Sequence, residues 1–296
     1  MINPWLLALA LATAALPLHA ALVSPRSTSF VTSDGVRLHV LEAGKARRGQ
    51  PVIAFIPGWS MPASIWLPQL EALSATHKVA ALDPRGQGES DIPAGGYATE
   101  RRAEDLHEFV KRYAPVVLVT WSLGSLEALQ YVHAHGDSSL RALVIVDSSV
   151  GEGPVPPPRP PGATGFQDEL RRDRANAVDG FVRAIFRTPQ AEEFLVALRE
   201  GALRIPLESS LAIFPGDRIP RERWRAVINR FSKPLLYVIT PQYAEQADHL
   251  KKNRPATQIE LFESAGHALF VDEPERFSAL LSEFLRRNGI FGMRPD

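Results

Sequence analysis

Along most of the chain, short apolar runs alternate with segments whose apolar residues recur at helical spacing. Residues 52–56 form a continuous apolar run closed by Pro57-Gly58, the pattern of a strand buried on both faces. Residues 36–41, after the turn Ser33-Asp34-Gly35, and residues 78–82, 116–119 and 143–146 read as further strands. Between them, Leu67, Leu70 and Leu73 mark one face of a helix within residues 65–75. Leu106, Phe109, Val110 and Tyr113 do the same within residues 104–113. Strand and helix in alternation predict an α/β fold, a mostly parallel sheet covered by helices.

The alternation stops near residue 150. Residues 151–165 are rich in proline, with Pro156-Pro157-Pro158 and Pro160-Pro161 favouring extended polyproline geometry over a helix. Residues 166–230 carry helical periodicity and no strand pattern. Strands are expected again at 235–239 and 258–262, before a final helix with Phe277, Leu280, Leu281, Phe284 and Leu285 on one face. Arg286 and Arg287 complement the dipole at its C-terminal end. The expected organisation is an α/β core over residues 28–150 and 231–290, interrupted at 151–230 by a proline-rich linker and a helical cap. A cap inserted this way covers the C-terminal ends of the strands, where open α/β sheets bind ligands.

Charge changes the picture little. The 33 basic and 33 acidic side chains cancel and are scattered, which points to a small-molecule substrate and away from nucleic acid or an anionic membrane surface. The absence of cysteine excludes disulfides, thiolate metal sites and a cysteine nucleophile. Histidines are not spaced as metal ligands, so neither a metal nor a cofactor is expected. Gly86-Gln87-Gly88 lacks the third glycine and the following helix of a phosphate-binding loop. Residues 1–20 read as a signal peptide: an apolar run over residues 5–16, the helix breaker Pro17, and a cleavage site at Ala20-Ala21, although no Lys or Arg precedes the run. A periplasmic or secreted protein is therefore expected, without a stable membrane span in the mature chain. The alternative is membrane anchoring by an uncleaved N-terminal segment.

The chemistry centres on Trp121-Ser122-Leu123-Gly124, between the strand at 116–119 and a helix expected over residues 125–133. A serine at a sharp strand-to-helix turn is lifted out of the sheet, and its neighbours two residues away must be small. Gly124 meets that need. Thr120 stands where glycine is usual, which is compatible if its side chain points away from the helix. A serine hydroxyl needs a base to become nucleophilic. Of eight histidines, His267 is placed for it, after the last strand and behind Gly266, which permits a tight loop. His77, His133, His135 and His249 lie in turns or on helices and read as solvated or dipole-pairing residues. Asp147 ends the strand at 143–146, where a carboxylate can reach the histidine and hold its tautomer. Glu245 is the alternative acid, and a dyad without one the third possibility. Asp83 and Arg85 read as structural, with Arg85 pairing to a carboxylate and ordering the loop 86–88; Asp272 and Glu273 read as helix-start residues before Pro274.

Taken in order, Ile56-Pro57-Gly58-Trp59, the stretch from Asp83 to Ser90, Trp121-Ser122-Leu123-Gly124, and Gly266-His267 with Asp272-Glu273-Pro274 resemble the α/β-hydrolase superfamily. The branch they resemble includes pimeloyl-carrier-protein methyl ester esterases, non-haem haloperoxidase-like esterases and related lactonases. The resemblance implies an oxyanion hole formed by the backbone N–H groups of Trp59 and Leu123. It also implies histidine where Pro57 stands, and an acid after the strand preceding His267, where Thr240-Pro241-Gln242-Tyr243 has no carboxylate; Asp147 occupies the family's alternative position for that acid, after the strand that follows Ser122. The expected function is a serine hydrolase cleaving a carboxylic ester or related acyl substrate through an acyl-enzyme. Alternatives are a lactonase or carbon–carbon bond hydrolase with the same triad, and a ligand-binding or sensor member of the fold. Phe166, Phe181, Ile185, Phe186, Phe194 and Phe214 of the insertion are expected mainly to join cap to core, some of them lining an acyl site.

Overall fold

The computed structural model describes residues 24–154, 165–214 and 219–291. The segment read as a signal peptide and most of the proline-rich stretch lie outside these residues. Eight strands form one sheet: β1 (Arg26–Val31), β2 (Arg37–Ala43), β3 (Val52–Ile56), β4 (Val79–Leu82), β5 (Val116–Trp121), β6 (Leu140–Val146), β7 (Leu235–Ile239) and β8 (Gln258–Leu261). Their order across the sheet is β1-β2-β4-β3-β5-β6-β7-β8. β1 pairs antiparallel with β2, and β2 with β4; from β4 to β8 every neighbour is parallel.

The apolar runs form strands here because both faces are covered. In β3, Ile53 and Phe55 join one hydrophobic core while Val52, Ala54 and Ile56 join the other. In β5, Val117, Val119 and Trp121 face the first core, Val116 and Leu118 the second. Such two-sided burial is why these strands read as continuous rather than alternating patterns. The first core is closed by α1 (Leu67–Ser74), α10 (Leu269–Asp272) and α11 (Pro274–Arg287), the second by α2 (Thr99–Tyr113), α3 (Leu123–His135) and α9 (Ala244–Asn253).

Between β6 and β7 the described residues are helical: α4 (Phe166–Arg172), α5 (Arg174–Ala184), α6 (Glu192–Arg204), α7 (Leu207–Ala212) and α8 (Arg221–Arg230). α4 to α7 contribute Leu170, Val178, Leu195 and Leu211 to the first core. α8 instead packs beside α3, with Trp224, Val227 and Ile228 in the second core. The helices that extend the first core outward are thus α4 to α7.

Three details differ from the sequence reading. β1 has no apolar run to predict it, and the sheet begins at Arg26 rather than near residue 28. Its residues alternate between exposed and half-buried at the sheet edge, so they carry no apolar run. α2 begins at Thr99, five residues before the predicted start, because its first turns bury polar residues, Thr99 and Arg102, that carry no apolar pattern. Residues 65–75 start as a 3-10 turn, Ala63–Trp66, before α1. No helix among the described residues is long and apolar enough to cross a membrane.

Candidate active site

β5 carries the chain through the centre of the sheet to Ser122, whose φ of 53° and ψ of −125° break the strand and start α3. A left-handed φ at a residue with a Cβ is costly and persists where the surroundings enforce it. Here the Ser122 N–H donates to the Val146 carbonyl at 3.0 Å, and the Ser148 hydroxyl donates to the Ser122 carbonyl at 2.8 Å. A Cβ on Gly124 would lie 2.5 Å from the Pro57 carbonyl oxygen, so only glycine lets the loop after β3 reach the Ser122 turn. Thr120 corrects the sequence expectation. Its hydroxyl does not turn away from the helix but bonds to Ser125 Oγ on α3 at 2.9 Å and donates to the Val144 carbonyl at 3.1 Å. Both polar atoms are satisfied in a fully buried place, which is how a threonine fits where glycine is usual.

His267 meets Ser122 from the loop after β8. Its Nε2 lies 2.8 Å from Ser122 Oγ, and its Nδ1 lies 2.6 Å from Asp147 Oδ2. A carboxylate only accepts, so the ring proton sits on Nδ1 and Nε2 is left to accept from the serine. Trp121 Nε1 donates to the His267 carbonyl at 2.8 Å, and the two rings pack 5.1 Å apart. The glycine before the histidine serves a close approach: a Cβ on Gly266 would come 2.6 Å from the Ile185 carbonyl oxygen. Ala268 N–H also donates to that carbonyl at 2.8 Å, so the turn after α5 is seated on the histidine loop.

Asp272 has a larger part than starting a helix. It ends α10, and its buried carboxylate accepts from the N–H groups of Gly266, Arg187 and Thr188 and from the Thr188 hydroxyl. It therefore ties the histidine loop to the segment that follows α5. In Asp272→Asn one oxygen becomes an NH₂ group facing main-chain donors. We expect a loss of about 1–3 kcal/mol of unfolding free energy, read by urea denaturation, from donors left buried without an acceptor. A loss below about 0.5 kcal/mol would show that the carboxylate is dispensable.

Asp147 is fully buried, with φ at 42°. Its Oδ1 accepts from the N–H and hydroxyl of Thr240, each at 2.7 Å, and its Oδ2 from Gln242 Nε2 at 2.8 Å as well as from His267. The loop after β7, which has no carboxylate, thus supplies the donors that hold one projected from β6. Glu245, the alternative acid, is exposed on α9 and does not join this cluster. Burial together with the Asp147 charge pushes the Tyr243 phenol up to about 12, and burial drives Tyr237 above its ordinary range. Both rings therefore stay neutral beside the carboxylate.

The loop after β3 closes the site on the other side. Gly58 packs so tightly on Ser122 that a Cβ there would lie 3.0 Å from the serine Cβ. Trp59 is buried; its Nε1 donates to the Ser210 carbonyl at 3.1 Å, and its ring packs on Phe166, Phe181 and Phe214. These rings bind the insertion to the core, while the Trp59 and Leu123 N–H groups take no main-chain acceptor among the described residues. Gln87, Thr240, Gln242 and Ser148 were not singled out by sequence. Each acts through contacts to distant main chain or side chains, which leave no local pattern.

A second Ser–His–Asp array joins β1, β2 and the loop after β4. His39 Nδ1 is 2.7 Å from Asp83 Oδ2, and its Nε2 is 3.0 Å from Ser27 Oγ. Ser27, however, sits within a regular antiparallel pairing opposite Leu41, without a left-handed turn or a helix start behind it. Asp83 also accepts from the N–H groups of Ala63 and Glu89, which marks it as the anchor of its loop. Arg85 is equally structural, pairing with Asp105 at 2.5 Å and with Asp34.

Comparison with known proteins matches residues 53–280 to the model of the alpha/beta hydrolase family. A pimeloyl-acyl-carrier-protein methyl ester esterase of Vibrio cholerae is 25% identical over 256 residues, covering 81% of this chain and 96% of that protein. A non-heme chloroperoxidase of Kitasatospora aureofaciens is 34% identical over 120 residues, 40% of this chain and 42% of that protein. Among solved structures, one described as a putative aryl esterase from Burkholderia cenocepacia superposes with a TM-score of 0.75 at 27% identity, covering 89% of this chain and 99% of that one.

Proposed function

The chain belongs to the alpha/beta hydrolase family, and we propose that it is a serine esterase working through an acyl-enzyme at Ser122. The observation that carries the proposal is the unbroken hydrogen-bond chain from Ser122 through His267 to Asp147, at the C-terminal ends of β5 and β6. Esterases among its relatives and structural neighbours support the same reaction class.

In the proposed cycle, Ser122 Oγ attacks the ester carbonyl and His267 Nε2 takes its proton. Asp147 holds Nδ1–H and stabilises the imidazolium. The negative charge on the carbonyl oxygen is met by the N–H groups of Trp59 and Leu123, one from each side of Ser122. A donor of this kind supplies about 3–4 kcal/mol to the transition state. Collapse of the tetrahedral intermediate expels the alcohol, which takes the proton from His267. Water, deprotonated by the same nitrogen, then clears the acyl group from Ser122 and restores the starting state.

Incubation with a fluorophosphonate, followed by peptide mass spectrometry, tests this directly. The expected result is one label per chain, on Ser122. An unlabelled folded protein, or a label elsewhere, would overturn the assignment.

A further inference from the structure

The Trp59 N–H belongs to the peptide whose carbonyl is that of Gly58. Gln87 Nε2 donates to that carbonyl at 3.0 Å and to the Met61 carbonyl at 2.8 Å. The Gly58–Trp59 peptide is trans, so its C=O and N–H point in opposite directions. We infer that Gln87 is a positioning residue of the oxyanion hole: its amide pins the Gly58 carbonyl away from Ser122 and so turns the Trp59 N–H toward it. The Met61 N–H also donates to the Gly58 carbonyl, at a longer 3.3 Å, so Gln87 supplies the shorter of two restraints. Glycine offers no Cβ to resist rotation of this peptide, and Pro57 has no N–H with which to tether the loop. Turned the other way, the peptide would set a carbonyl oxygen where the oxyanion forms.

Gln87 is itself held in a buried chain. Arg102 Nη2, on α2, donates to Gln87 Oε1 at 2.9 Å; since guanidinium only donates and carbonyls only accept, the orientation of the Gln87 amide is settled. Arg102 Nη1 donates to the Arg85 carbonyl at 3.1 Å, and its Nε donates to Glu127 on α3 at 2.5 Å. Gln87, Arg102 and Glu127 are each no more than 3% exposed. α3 is the helix that Ser122 begins. The nucleophile and the donor facing it are therefore tied to each other by a second route, independent of the sheet.

The inference rests on the proposed serine mechanism, and the test separates the two. Gln87→Glu keeps an acceptor for Arg102 but cannot donate to Gly58; Gln87→Met keeps the length with neither group. With an aryl ester, kcat is expected to fall about 10²-fold in both variants, the effect of losing an oxyanion donor. KM is expected to move less than about threefold, because the interaction is made in the transition state. Affinity for an aryl boronic acid, whose tetrahedral adduct places an oxygen in the hole, should weaken alongside kcat. A folded variant with kcat within about threefold of the parent, or with only KM changed, would overturn the inference while leaving the serine mechanism intact. A parent that neither turns over nor labels would instead overturn the mechanism. A crystal structure of the parent boronate adduct decides the same point without a variant. The Gly58 carbonyl on Gln87 and the boronate oxygen at Trp59 N–H would support the inference, and the opposite peptide orientation would refute it.

Discussion

Ser122→Ala is expected to lower kcat for an aryl ester by on the order of 10⁴–10⁶-fold, with the fold intact. The nucleophile is the atom on which the proposed acyl-enzyme forms, and no other described hydroxyl has both a base at hydrogen-bond distance and a left-handed turn that lifts it from the sheet. The substitution removes one hydrogen bond to His267 and leaves the φ of 53° as demanding as before, since alanine also has a Cβ. Thermal unfolding should therefore shift little while turnover collapses. The Ser27 array provides the internal control, because it survives in this variant. Turnover within tenfold of the parent would mean that catalysis does not depend on Ser122. Titration of the parent with fluorophosphonate should in turn remove activity in proportion to label incorporated.

Asp147→Asn is expected to cost about 10⁴-fold in kcat, through the wrong histidine tautomer rather than through loss of the fold. The geometry dictates which way the new amide turns. Oδ1 receives the Thr240 N–H and hydroxyl, and the main-chain donor cannot move away without breaking the loop after β7. The amide oxygen takes that place, leaving the NH₂ to face His267 Nδ1, which must then accept. The ring proton moves to Nε2, and the nitrogen 2.8 Å from Ser122 Oγ no longer takes a proton. A variant within about tenfold of the parent would show that the histidine needs no carboxylate, and would favour a dyad. Because Glu245 is exposed on α9, Glu245→Gln should leave kcat unchanged in the same assay.

The parts of this molecule legible in the chain are those whose cause is local. β3, β5 and β7 show themselves as apolar runs because each residue is buried against one of two helix layers. Ser122 is legible because a strand, a helix and Gly124 surround it, and His267 because of its place behind the last strand. β1 was invisible for the converse reason: at a sheet edge its side chains face water, and only its pairing with β2 makes it a strand.

What the chain could not disclose is where contact across long sequence separations decides. His267 and Ser122 are 145 residues apart and His267 and Asp147 are 120 apart, so nothing near Asp147 announces its partner. Sequence left Asp147 and Glu245 as rivals, and the alignment of β6 beside β7 puts only Asp147 within reach of the ring. Asp272 resembled a helix start because Pro274 follows it; only the seating of the turn after α5 makes it an acceptor of four donors. Gln87 stands between two glycines of the loop 86–88, and only folding lays its amide beneath the Gly58 carbonyl. Periodicity and turn chemistry are properties of neighbouring residues, and the sequence alone determined the sheet and marked Ser122 and His267 as the candidate nucleophile and base. Which carboxylate stands within reach of His267, and which side chains bond to the peptides around Ser122, depends on distances between distant segments, and those exist only once the two cores have closed on the sheet.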